Sequence, residues 1–266
     1  MSAFSVNDRA RQMWNAQGRI LLALILRDIH TRFFGHGLGY LVAIAWPLTH
    51  IVVLLIIFSL GNRAVPFGDN MVLFLATGVV PFMTFNYMSR FIMYSAAFNR
   101  PLLAFPSVKV MDILIARAIL EFLSSCCTII LVLAVLWLAG IDFVPRDTLQ
   151  AFFGMGACLL LGFGYGIING VIAMAARSWI TGYQLVIIIL YLTSGVMFVP
   201  DAVPSQLRYF LAFNPILQGI EWVRSAYYDG YGAEILDKNY VIACGAIAVF
   251  SGLLIERLVR GRILQQ

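Results

Sequence analysis

Of the 266 residues, 61% are hydrophobic and 12% are charged. The charged share is about half that of a soluble domain, so the chain is solvated mostly by lipid and leaves no room for a sizeable soluble domain. A net charge of +5 does not point to nucleic acid, because the basic residues are scattered at the ends of apolar runs and not gathered on one face.

In chain order, residues 1–32 read as a cytoplasmic or interfacial N-terminus. The apolar stretch 20–26 makes only about two helical turns and is flanked by Arg19, Arg27, Asp28 and Arg32. It is too short to span and reads as an interfacial helix. Asp8, Arg9 and Arg11 precede it and no small-residue cleavage pattern follows, which argues against a cleaved signal peptide. Charge near the bilayer centre is costly, and irregular backbone cannot face lipid. The charge-free runs at 33–62, 70–89, 122–141, 148–176, 178–200 and 239–255 therefore read as six spans. The fold class is an all-α membrane protein with six transmembrane helices, an N-terminal interfacial helix and a re-entrant or interfacial helix pair before the last span, all within a single membrane domain over 1–266.

Basic residues set the orientation. Arg9, Arg11, Arg19, Arg27, Arg32, Arg90, Arg100, Lys109, Arg117, Arg177, Arg257, Arg260 and Arg262 fall on one side. Arg63, Arg146, Arg208, Arg224 and Lys238 fall on the other, outnumbered by acids between Asp69 and Asp237. Both termini are thus expected in the cytoplasm of a multi-pass inner-membrane protein.

Two connections stand out. Residues 91–111 are cytoplasmic, carry two prolines and few charges, and read as a docking loop. Residues 199–239 lie outside and contain Pro200, Pro204 and Phe213-Asn214-Pro215. Asn at the N-cap and Pro at N1 start a helix at Pro215. That helix carries Ile216, Ile220, Val223 and Tyr227 on one side, as an amphipathic piece at the outer surface.

The fourth span carries small residues at steps of four: Gly154, Cys158, Gly162, Gly166 and Gly170. Such a stripe lets helix backbones approach closely in lipid, first as intramolecular packing and second as a subunit interface. Gly162, Gly164 and Gly166 make no nucleotide loop, since no strand precedes them. Cys126, Cys127, Cys158 and Cys244 have no metal-ligand spacing and read as buried reduced thiols. His30, His36 and His50 come without a carboxylate cluster, so no metal is expected. Arg117 and Glu121 are four apart and read as a structural ion pair. Hydrolase motifs are absent and no catalytic residue is proposed. A Walker A loop requires Gly-Lys, whereas Lys109 and Lys238 follow Val108 and Asp237, so any ATP and Mg must be bound by a partner.

Leu26-Arg27-Asp28-Ile29-His30-Thr31-Arg32-Phe33, then Leu38-Gly39-Tyr40-Leu41 and Pro47, resemble the approach to the first span in type-2 ABC exporter permeases of the KpsM-like capsular polysaccharide group. Val80-Pro81-Phe82, Val108-Lys109 with Asp112, Ala116-Arg117-Ala118, Leu120-Glu121 and Asn214-Pro215 with Glu221 and Arg224 agree in order and spacing. The sequence departs from that pattern at His30, where the resemblance implies arginine, and at Phe105-Pro106.

The resemblance implies a homodimer with two cytoplasmic ATP-binding subunits, moving lipid-linked capsular polysaccharide to the periplasm, completed by a periplasmic adaptor and an outer-membrane channel. O-antigen or teichoic-acid export is the nearest alternative, followed by drug or lipid export and by an integral-membrane glycan or lipid transferase. It also implies that Asn99, Arg100, Leu102, Leu103, Phe105 and Pro106 couple to the ATPase, with the apolar side chains as anchors. Arg27, Arg32 and His36 sit where an anionic linker or acidic sugar arrives at the inner mouth, and an arginine fork grips phosphate or carboxylate; the alternative is anchoring to anionic headgroups. Tyr40 and Trp46 continue the path. Phe213, Asn214, Pro215, Trp222 and Tyr227 belong to the periplasmic exit or serve as interface anchors.

Overall fold

The computed structural model describes residues 6–31, 38–61, 64–232 and 234–263. Among them the chain forms α1 (Val6–Thr31), α2 (Leu38–Leu60), α3 (Met71–Phe98), α4 (Val110–Leu138), α5 (Thr148–Ala175), α6 (Trp179–Thr193), α7 (Ser205–Ala212), α8 (Pro215–Tyr227) and α9 (Lys238–Ile263), with short 3-10 turns at Arg100–Ala104 and Pro200–Ala202 and no strand. The all-helical membrane architecture matches the reading of the sequence.

Helices α3, α4, α5 and α9 are long and apolar enough to cross a membrane. The first and fifth predicted spans are filled by α2, apolar over Leu48–Phe58, and by α6. The 15 residues of α6 rise only about 22 Å, short of a hydrocarbon core about 30 Å thick. The described residues thus carry four full-length spans, the 23-residue apolar α2 and one shorter apolar helix, α6. The helix pair before the last span is present as α7 and α8.

Caps fix where the helices begin. Asn70 accepts from the backbone N–H groups of Val72 and Leu73 at 2.9 and 3.2 Å, and Asp147 from that of Gln150 at 3.0 Å. Asn214 accepts from Ile216 at 3.0 Å, with Pro215 opening α8 as expected.

Helix ends differ from the predicted spans. The charge-free run stops at Ser89, but α3 continues to Phe98, because Arg90 ends a lipid-compatible stretch without breaking a helix; the bend comes at Asn99 before Pro101. The docking loop therefore shrinks from 91–111 to 99–109. For the same reason α4 starts at Val110 and holds Arg117 and Glu121 within it. The interfacial segment 20–26 is the apolar part of a 26-residue helix.

The core is α3 laid along α5. A methyl added at Gly162 would lie 2.8 Å from Met88 Cβ, at Gly166 2.9 Å from Ile92 Cβ, and at Gly170 3.1 Å from Ala96 Cβ. Further up, Gly154 meets Val223 of α8 at 2.8 Å, and the Cys158 thiol fills the space beside Gly219. On its other side α5 meets α9, where Gly164 faces Ala248 at 2.7 Å. The stripe is the seam of this chain's own fold, as the intramolecular reading required.

Candidate functional site

Apolar helices in lipid gain little from burying more apolar surface, so polar contacts specify how the two ends of the bundle are assembled. At the 99–109 end, Arg117 of α4 reaches Asp28 of α1 at 3.3 Å and Glu121 at 2.9 Å. All three side chains are buried. The Arg117 guanidinium lies over the Phe91 ring of α3, 4.8 Å from its centroid. Arg27 pairs with Asp28 at 2.6 Å and donates to Asn99 Oδ1 at 2.7 Å. Gln17 donates to Asp112, whose other oxygen accepts from the Lys109 backbone N–H at 2.9 Å. Arg27 and Arg117 thus pair with Asp28 and Glu121, and with the Gln17–Asp112 bond they tie α1 to α4 and to the loop.

The loop is a tight 3-10 turn opened by Pro101. Leu102 and Leu103 turn inward against Leu24, Ile113 and Ala116, so they brace the turn and leave Phe105, 60% exposed, as its projecting aromatic. Pro106 is also exposed, and Arg100 is partly covered. Arg100 and Arg177 line a cavity of about 170 Å³ with Ala97, Ala173, Met174 and Ala175.

At the α7–α8 end the centre is Arg224, wholly buried. Its guanidinium donates to the carbonyls of Gly195 at 2.6 Å, Val196 at 2.8 Å and Phe198 at 3.1 Å. It stacks on Phe74 at 4.0 Å and faces Glu221 at 3.8 Å, whose carboxylate accepts from the Tyr231 hydroxyl at 2.7 Å. Gln218 donates to the carbonyls of Ala212 and Ile235 and accepts from the Asp237 N–H. Helix α8 is therefore buried on all sides, unlike the amphipathic surface helix read from Ile216, Ile220, Val223 and Tyr227. Most of its polar atoms find partners inside the bundle, the buried Arg224 Nε being the exception. Outside the spans, Arg208 bridges Asp201 at 3.5 Å and Glu234 at 3.0 Å. Burial raises the Asp201 carboxyl above its ordinary value against the pull of Arg208.

The predicted site residues separate accordingly. Trp222 is buried, its indole N–H donating to Gln150 at 2.7 Å, and Asn214 also donates to Thr193 at 3.0 Å. Pro215 and Tyr227 are partly covered, whereas Phe213 is 57% exposed and packs edge-on against Tyr209. Trp46 is 58% exposed on α2. Arg32, His36 and the Tyr40 side chain lie outside the described residues. Arg27 sits in the α1–loop bridge.

Sequence reasoning used Arg224 for orientation and Glu221 and Arg224 for the resemblance, gave neither a structural role, and passed over Gln218. Their signal was three strongly polar side chains spaced three apart in a segment otherwise apolar. It also passed over Tyr87, Phe91, Tyr94 and Phe98, whose 4-3-4 spacing places them on one helix face.

A family model described as ABC-2 type transporter matches residues 19–228. The chain belongs to that family. As an ABC-2 type transporter chain it is matched from within α1 to just past the end of α8, a stretch that includes Arg117 and Arg224. It is 32% identical over 249 residues to the polysialic acid transport protein KpsM of Escherichia coli, covering 93% of this chain and 96% of that relative. It is 29% identical over 250 residues to the capsule polysaccharide export inner-membrane protein BexB of Haemophilus influenzae, covering 93% of each. With the capsule polysaccharide export inner-membrane protein CtrC of Neisseria meningitidis it shares 23% identity over 246 residues, covering 92% and 93%. The resemblance read from scattered residues therefore holds along almost the whole ABC-2 chain.

Proposed function

We propose that this chain is the membrane permease of an ATP-driven exporter that carries lipid-linked capsular polysaccharide from cytoplasm to periplasm. The observation that carries the reading is end-to-end similarity to relatives named for polysialic acid transport and capsule polysaccharide export. Two copies of the chain work with two cytoplasmic ATP-binding subunits, which bind the ATP and Mg; the chain itself does no catalysis. Both termini and the 99–109 loop lie in the cytoplasm of the inner membrane, and α7–α8 face the periplasm, where an adaptor and an outer-membrane channel continue the route.

In this reading Phe105, flanked by Arg100 and Pro106, seats in the ATPase, and aromatic anchors of this kind dominate such interfaces. Movement of the turn passes through Leu102 and Leu103 and the Arg27–Asn99 bond to α1, and through Asp112 to α4. Arg32, His36, Tyr40 and Trp46 belong to the inner approach. At the far end Phe213 is the exposed aromatic, while Asn214, Pro215 and Trp222 hold α8 in place and Tyr227 closes its last turn.

The test is deletion of the gene in its native strain. Loss of surface polysaccharide, its intracellular accumulation, and copurification of the tagged chain with an ATPase are expected. Unchanged surface polysaccharide overturns the reading, as does a glycan or lipid transferase activity of the purified chain.

A further inference from the structure

We propose that Tyr87, Phe91, Tyr94 and Phe98, together with Arg90 and Arg177, form a binding strip for an anionic glycan along α3. The inference rests on the export reading and deepens it, by naming where the substrate first runs along the permease.

The four rings follow one another along a single face of α3. Neighbouring centroids are 5.8, 6.1 and 6.1 Å apart, and the run is about 16 Å long at a helical rise of about 1.5 Å per residue. The opposite face, with Met88, Ile92 and Ala96, is pressed onto the glycines of α5. The ring face looks instead between α4 and α6. Arg117 of α4 covers one side of Phe91, and Gln184 of α6 donates to the Tyr94 hydroxyl.

This face is only partly core: Tyr87 and Tyr94 pack against the hydrophobic core, while Phe98 stands clear of it. Its rings are partly exposed, Phe98 by 54%, whereas the α5-facing side chains are buried. Lipid would not be met by Arg90, Gln184 and the Tyr94 hydroxyl to which both donate. Arg90 lies 5.8 Å from the Tyr94 ring centroid and donates to its hydroxyl at 3.4 Å; Arg177 lies 5.1 Å from the Phe98 centroid. Arg117 is committed to Asp28 and Glu121. Among the described residues Arg90 and Arg177 pair with no carboxylate, which leaves two forks beside the rings for a sugar carboxylate or phosphate. The cavity of about 170 Å³ shares Arg177 and adds Arg100, extending the strip beyond Phe98. Sugar rings offer apolar C–H faces that stack on aromatic rings. Repeated shallow contacts let a polymer slide, and arginines at intervals hold its charge without trapping it.

The test uses the full exporter in a strain whose surface polysaccharide depends on this chain. Phe91→Leu and Phe98→Leu keep apolar bulk and remove the ring, and each is expected to lower surface polysaccharide about two- to tenfold, the factor one ring's stacking supplies. Protein level and ATPase copurification stay normal, and Phe98→Tyr exports at the wild-type level. In inside-out vesicles, Phe98→Cys reacts with a charged thiol reagent above the wild-type background, and a hyaluronan oligosaccharide slows the reaction while a neutral dextran oligosaccharide does not. Export at the wild-type level by both leucine variants overturns the strip while leaving the export reading intact. So does labelling of Phe98→Cys that hyaluronan fails to slow, or that dextran slows equally. Loss of dependence on the chain itself overturns the export reading, and that is measured separately by the deletion.

Discussion

Gly78 of α3 and Arg224 of α8 are in such close contact that a methyl on the glycine would lie 2.6 Å from a guanidinium nitrogen and 2.9 Å from the Val196 carbonyl oxygen. The glycine is the floor of the arginine's socket. Gly78→Ala is therefore expected to cost about 1–3 kcal/mol by overpacking. Arg224→Ala removes the donor to three carbonyls and strands Glu221, for about 3–5 kcal/mol. Thermal unfolding in detergent, followed by thiol exposure of Cys158, which is buried beside α8, checks both. Equal melting of Gly78→Ala and wild type would show that the socket has slack.

Arg117 holds two buried carboxylates, so Arg117→Met is expected to destabilise by about 3–5 kcal/mol. The triple change Arg117→Met, Asp28→Asn, Glu121→Gln removes both orphaned charges and is expected to recover much of that loss. Protein yield and melting temperature measure the coupling. No recovery would mean that the guanidinium matters through Phe91 and not through the carboxylates.

Phe105→Asp should leave the fold untouched, since the ring is 60% exposed, and should weaken ATPase copurification at least about tenfold if Phe105 is an interface anchor. Leu102→Asp should instead reduce abundance, because that side chain supports the turn from within. Normal complex yield in Phe105→Asp places the docking surface elsewhere.

Topology is tested by fusions. Reporters after Asp69, Asp142 and Asp229 are expected to act as periplasmic, and those after Arg100, Arg177 and Gln266 as cytoplasmic. A cytoplasmic signal at Asp229 would take α7–α8 to the wrong side and break the six-span arrangement.

How much of this was legible depends on the kind of signal. Asn214-Pro215 could be read because a cap is a local event, decided by two adjacent residues. The glycine row of α5 could be read because spacing alone puts it on one face. Arg90 misled, since sequence registers charge while a helix ends where its backbone does, here at Asn99 and Pro101. Helix α8 was misread because Glu221 and Arg224 resemble a wet face until their partners, Tyr231 and the 195–198 carbonyls, arrive from distant parts of the chain. The ladder of Tyr87, Phe91, Tyr94 and Phe98 was written in the spacing, but only packing distinguishes that face from the one pressed on α5.

The glycine seam of α5 has a mechanical consequence. Backbones in near contact cannot roll over one another, so α3, α5, α8 and α9 behave as a keel. Helix α6 meets that keel along one face, through Trp179, Tyr183, Gln184 and Tyr191, and it presents Leu185, Ile188, Ile189 and Leu192 outward; α2 likewise turns Val52, Val53, Ile56 and Ile57 away. A passage that widens and narrows is therefore expected to move these two outer helices and to leave the keel still.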